Sequence, residues 1–219
     1  MGRPATWSEP ELLTAVMRLF RRKGYCHTSL KDIEQATDLH PGSLYKAYGS
    51  KDRLFVAALR AYNERVVAPR VRTHLDRAAR PLRGIRAMFA STFDGSETDI
   101  PGCLLTNTAV ESTELGPEAR RAVAEGLDLL RDGFARALER ARARGDVPPA
   151  TRPAVLAARL LALYQGVLVL VRFGTPADHL GTIVDETVAS MKGASPWTSP
   201  SGKRTRAAGR RPSPSAADS

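Results

Sequence analysis

A chain of 219 residues with a net charge of +10 has room for a full hydrophobic core and carries an excess of cation that suits a polyanionic partner. It holds no unbroken run of about 18 apolar residues, and MGRPATWSEPELL lacks the charged-then-apolar pattern of a secretory leader, so no membrane span and a cytoplasmic location are expected. Cys26 and Cys103 are too few for a disulfide framework and fall short of a four-ligand zinc site, so neither metal nor cofactor is expected.

The first predicted helix starts at Ser8-Glu9-Pro10-Glu11, where Ser8 and Glu11 have capping-box spacing and proline fits the first turn. Leu13, Val16, Met17 and Phe20 follow at i, i+3, i+4, i+7, and Arg21-Arg22-Lys23-Gly24 supplies a basic last turn and a stop. Ser29 with Asp32 opens a second helix, whose apolar side is Leu30, Ile33 and Ala36. It breaks at Thr37-Asp38-Leu39, and a third, very short helix starts near His40-Pro41. Two helices joined by a three- or four-residue turn form a helix-turn-helix pattern. In the third helix Leu44 and Tyr48 share an inward face. Gly42, Ser43 and Lys46 face outward with Tyr45 on the flank, a surface small enough to enter a major groove and able to reach phosphates.

The span LLTAVMRLFRRKGYCHTSLKDIEQATDLHPGSLYKAYGSKDRLFVAAL resembles the DNA-binding region of the TetR/AcrR family of bacterial transcriptional regulators, without gaps over roughly residues 11–59. The resemblance implies DNA contacts at Ser29, Lys31, Pro41, Gly42, Ser43, Tyr45, Lys46 and Lys51. Where the family has glycine in the turn, this chain has Asp38, which tolerates a left-handed backbone at modest cost.

Beyond Ala68-Pro69 the resemblance fades and periodicity predicts helices near 53–77, 81–94, 102–114, 117–144, 152–173 and 177–192. No segment alternates like a strand, so the expected fold is all-α with about nine helices. A helix-turn-helix domain over 1–52 would join a helical effector-binding and dimerisation domain over 53–192, followed by a disordered basic tail over 193–219 that adds salt-sensitive DNA affinity or stays idle. Leu156, Leu160, Leu163, Val167 and Leu170 form a heptad-like stripe, repeated in the last helix by Leu180, Ile183, Val184, Thr187 and Met191. Both stripes serve either a homodimer, the arrangement the resemblance implies, or the internal core.

Phe89, Phe93, Phe134 and Tyr164, with Cys103 and Asn107, have the apolar-plus-few-polar make-up of a small-molecule effector pocket, and equally of solid core. Ile100-Pro101-Gly102-Cys103-Leu104-Leu105 resembles the Gly-Cys-Leu segment of a TetR subgroup that includes electrophile- and hypochlorite-responsive regulators. A thiol at a helix start suits a sensor, and a free cysteine suits a core. The expected activity is therefore sequence-specific binding of a double-stranded operator, released by a small-molecule effector or by oxidation or alkylation of Cys103. A non-sensing architectural DNA binder is the rival from another class. No Gly-rich phosphate loop, nucleophile–base pairing or metal-spaced cluster points to an enzyme.

Overall fold

Proline and glycine set most helix boundaries, as the computed structural model of the chain shows; it describes residues 8–93, 102–111, 113 and 115–192. The basic tail and the polar stretch 94–99 lie outside those residues. Helix α1 (Glu9–Lys23) holds Pro10 in its first turn and ends at Gly24, whose φ of 81° only glycine adopts freely. Ser8 bonds Glu11 Oε2 at 2.7 Å instead of capping the backbone. In α2 (Leu30–Thr37) the capping box forms in both directions: Asp32 N–H donates to Ser29 Oγ at 3.1 Å, and Ser29 N–H to Asp32 Oδ2 at 2.8 Å. Ile33 is buried and Leu30 half-buried, whereas Ala36 is exposed. Helix α3 spans Pro41–Tyr48 and α4 Lys51–Tyr62.

These four helices share one core. Phe20 and Phe55 meet edge to face at 4.6 Å, the Tyr25 ring lies 4.7 Å from Phe55, and Ile33, Leu44 and Leu59 are buried with them.

The expected long helix after residue 53 exists but is not uniformly α. From α4 it continues through a π-helical stretch, Asn63–Val67, a short α5 (Ala68–Arg70) and a second π-helical stretch, Val71–Asp76. Pro69 supplies the reason. A proline inside a helix lacks an N–H and crowds the carbonyl four residues back, and the wider π turn relieves both. Ala68 N–H accordingly reaches Asn63 O, five residues back.

The remaining helices are α6 (Pro81–Ala90), α7 (Leu104–Val110), α8 (Pro117–Ala143), α9 (Pro153–Phe173) and α10 (Ala177–Lys192). Helix α8 is the axis of this half, packing on α9, α6, α4 and the second π stretch. A Cβ on Gly133 would lie 2.6 Å from Val71 Cγ1, so glycine there permits the close approach of α8. No strand occurs among the described residues, and the fold is all-α. By length and composition alone α9 is apolar enough to cross a membrane, since Arg159, Gln165 and Arg172 interrupt it only sparsely. One face of α9 is nevertheless packed in the core through Ala157, Leu160, Tyr164 and Val167.

Candidate nucleic-acid interface

The turn between α2 and α3 rests on Asp38, whose φ of 53° and ψ of 29° are left-handed; it is the only non-glycine with positive φ among the described residues. This places α3 with Leu44 buried and Gly42, Ser43, Tyr45, Lys46 and Ala47 exposed. Pro41 is its first residue. The half-buried Tyr48 donates its hydroxyl proton to Glu9 Oε1 at 3.1 Å, tying α3 to α1. Ser29 and Lys31 are exposed at the start of α2, although the Ser29 hydroxyl is engaged in the cap. Lys51 is half-buried, its ammonium 4.3 Å above the Tyr25 ring, a cation–π contact that leaves its outward reach shared.

The sequence reading overlooked His40 as a functional residue. It is the N-cap of α3, and its Nδ1 accepts the Gly42 N–H at 3.1 Å. The adjacent proline was the available signal. His40→Ala should cost about 0.5–2 kcal/mol of stability, and His40→Asn, which caps through Oδ1, should recover it; equal thermal midpoints for the two variants would refute the cap.

Electrostatics hold Asp32 ionised and Tyr25 and Tyr48 protonated near neutrality. The Lys23 ammonium, 2.5 Å from Asp32 Oδ1, and then the Ser29 cap hold the Asp32 carboxyl well below the usual carboxylate range. Burial, then hydrogen bonding to Asp52, pushes Tyr25 up to about 12, and burial with Glu9 does the same for Tyr48. A raised phenol pKa means the folded state resists ionisation. Stability from these rings is therefore complete below the ordinary value of 10 and lost as pH climbs through about 12. Denaturation midpoints should fall across that window, and Tyr25→Phe with Tyr48→Phe should flatten the profile.

Three side chains of the second half hold the rear of the head. The last-turn carbonyls of α1 have no intrahelical donors. Arg172 of α9 donates to Arg21 O at 2.8 Å and Arg22 O at 3.1 Å, and Asn107 of α7 to Arg21 O at 3.0 Å. Glu111 Oε2 accepts the N–H groups of Tyr25 at 2.8 Å and Cys26 at 3.0 Å. Arg21 in turn donates from Nε to Gly102 O at 2.8 Å, fixing the residue before Cys103. Arg172, a lone cation near the end of an apolar helix, was the only sequence signal for this clamp.

Three of the six expected pocket residues pack as one aromatic cluster. Phe89, Phe134 and Tyr164 are buried against each other at ring distances of 5.3–5.9 Å. Phe93 is half-buried beside them, Asn107 serves the clamp, and Cys103 is 7% exposed. The Tyr62 hydroxyl donates to Cys103 Sγ at 3.4 Å, and burial holds that phenol well above its ordinary pKa, so it stays the proton donor.

Of the ten expected interface residues, Leu160, Val167, Leu180, Val184 and Met191 are buried within the subunit itself. Leu156, Leu163 and Thr187 are half-buried, and Leu170 and Ile183 are exposed. The open apolar side of α9 is a neighbouring face: Val155, Ala158, Ala162, Gly166, Val169 at 50% exposure and Phe173 at 86%, with Leu170 on its edge.

A left-handed turn between two short helices, the second anchored inward by Leu44 and outwardly small and cationic, defines a helix-turn-helix DNA-binding protein. The chain belongs to the TetR family: the profile described as "Bacterial regulatory proteins, tetR family" matches residues 12–58, and "Tetracyclin repressor-like, C-terminal domain" matches 81–186. It is similar to the HTH-type transcriptional repressor ComR of Escherichia coli (strain K12), 28% identical over 194 residues that cover 85% of this chain and 90% of ComR. The repressor DhaR of Mycobacterium sp. (strain GP1) is 25% identical over 177 residues, 78% of this chain and 87% of DhaR. Among solved structures, a cysteine-substituted mutant of the TetR family regulator CifR, complexed with 26-bp double-strand operator DNA, superposes with a TM-score of 0.76 at 27% identity, covering 87% of this chain and all of that one. The protein is a signal-responsive, DNA-binding transcriptional regulator at the level the family defines.

Proposed function

We propose that the protein is a homodimeric repressor that binds a double-stranded operator through α3 and releases it when a small-molecule effector occupies the second half. The observation that carries this reading is α3: eight residues anchored by buried Leu44, with Gly42, Ser43, Tyr45 and Lys46 exposed. Gly42, Ser43 and Lys46 meet bases, while Ser29, Lys31, Pro41, Tyr45 and Lys51 position the backbone. Two copies joined through the open face of α9 and Ile183 of α10 present two such helices to half-sites about 34 Å apart.

The effector takes the space that Phe89, Phe134 and Tyr164 now close, bordered by Phe93 and Cys103. Those rings stand on α6, α8 and α9, so parting them displaces α9, and Arg172 of that helix carries the displacement to α1 and the head. The effector shifts the population only by binding the DNA-incompetent spacing more tightly. The test is recovery of genomic fragments bound by the protein, followed by salt titrations on a recovered duplex and its shuffled sequence. Coincident curves would sink the sequence-specific reading in favour of an architectural binder.

A second trigger has its own support. The Tyr62 hydroxyl donates to Cys103 Sγ, and Arg21 links the preceding Gly102 to the head, so a modified sulfur would disturb both contacts. Oxidation or alkylation of Cys103 would then release DNA, and Cys103→Ser should abolish release by oxidant while sparing release by hydrophobic compounds. An unchanged oxidant response removes the thiol from the mechanism.

A further inference from the structure

The open space nearest the head is not among the aromatic rings of the second half. A cavity of about 340 Å3 lies between the start of α4, the start of α8 and Tyr25 in the α1–α2 connector. That volume is within the range of small-molecule sites, roughly 300–1,000 Å3. Its apolar walls are Phe55, Val56, Leu115, Pro117 and Ala119, contributed by both halves of the chain. Charged lining groups oppose one another, Asp52 and Glu118 against Arg53, and Asp52 already accepts the Tyr25 hydroxyl proton. The Tyr25 ring is likewise engaged, with Lys51 and Phe55 against it. Nothing in the lining calls for a net charge on the occupant.

We propose that this cavity is a second ligand site, taking a small neutral aromatic or aliphatic molecule, and that its occupation alters operator affinity. The position supplies the mechanism. Tyr25 is held from behind by Glu111 through its backbone N–H and faces the cavity with its ring, so an occupant bears on the residue through which α7 grips the head. Phe55 and Val56 belong to α4, the helix leaving the reading head, and Pro117 and Ala119 to α8, the axis of the second half. Filling the space between them changes the angle at which the head leaves the core. The regulatory half of this inference rests on the proposed operator binding; the site itself does not.

Gly116 provides the test. It lines the cavity with an ordinary φ of −64°, and a Cβ added there meets nothing within 4 Å. Gly116→Leu therefore adds an apolar side chain at the cavity wall without backbone strain. The probe is N-phenyl-1-naphthylamine, a neutral fluorescent aromatic amine, titrated into the full chain with and without a duplex recovered from the genome. The wild type is expected to bind it, and Gly116→Leu to bind it at least about tenfold more weakly with an unchanged thermal midpoint. Saturating probe should change wild-type operator affinity about fivefold or more, and Gly116→Leu alone should change it in the same direction. The proposal is overturned if the wild type does not take the probe, if Gly116→Leu takes it equally well, or if bound probe leaves operator affinity unchanged. A wild type that binds no duplex even without probe defeats the regulator reading instead, and the two titrations of probe alone still decide whether the cavity is a site.

Discussion

Gly166→Arg is expected to turn the protein into monomers and to lower apparent operator affinity at least about a hundredfold, the usual range for losing a tethered second contact. Within one subunit the substitution costs little, because a Cβ on Gly166 meets open space. In the proposed dimer the same position faces another helix, where glycine and Ala162 allow backbones to approach and a guanidinium does not fit. The surrounding face gives the reason for expecting a partner: exposed Val155, Val169 and Phe173 recur at helical spacing on a helix whose other side is already buried. Sedimentation at micromolar concentration and gel-shift titrations against a two-half-site duplex measure the two effects. A variant that remains dimeric moves the interface off this face of α9; one that is monomeric yet binds with wild-type affinity means that a single head suffices.

The same helix marks where sequence reading stops. Alternation of apolar and polar residues placed the inward face of α1, because only one side of Glu9–Lys23 is apolar; Leu13, Val16, Met17 and Phe20 are buried as expected, and Leu12 joins them. Helix α9 is apolar nearly all round, so its periodicity cannot say which side is inward. The leucine stripe through Leu156, Leu160, Leu163, Val167 and Leu170 is split: α8 takes Leu160 and Val167, together with Ala157, Tyr164 and Leu168, and leaves Leu170 outside. Ala157 is decisive because a small side chain lets α8 come close, and that depends on the partner helix, not on α9. In α10 the inward row is likewise Leu180, Val184, Val188 and Met191, with Ile183 turned out.

Local chemistry was more legible than long-range contact. The Ser29–Asp32 cap and the left-handed Asp38 follow from residue type and position, and both occur. The π-helical stretches around Pro69 were not expected, because proline alone does not distinguish a kink from a widened turn. Asn107 shows the opposite case. Flanked by Thr106 and Thr108 in an otherwise apolar helix, it has the make-up of a pocket residue, yet its amide reaches the Arg21 carbonyl, 86 residues away. No periodicity encodes such a contact, and Arg21, Asn107 and Glu111 were invisible as joining residues for that reason.

Those contacts carry the second large expectation. Glu111→Ala leaves the Tyr25 and Cys26 N–H groups without their acceptor, and Arg172→Ala leaves the Arg22 carbonyl without its donor. An abandoned polar group costs about 1–3 kcal/mol where it is shielded from water. Tyr25 is half-buried and Cys26 exposed, so the lower end applies and solvent recovers part of the loss. Amide exchange at Tyr25 and Cys26 should then quicken about tenfold in Glu111→Ala, 1.4 kcal/mol being a factor of ten. The double variant should keep α3 and its DNA contacts, since both substitutions lie behind the head and Leu44 still anchors the helix. What it should lose is communication: a signal that moves α7 or α9 no longer pulls on α1, and operator affinity stops responding to it. A double variant that is released from the operator as readily as the wild type would show that the long helix from Lys51 to Asp76 carries the signal unaided. Loss of response with exchange quickened only around Gly24–Thr28 would place the coupling in the clamp.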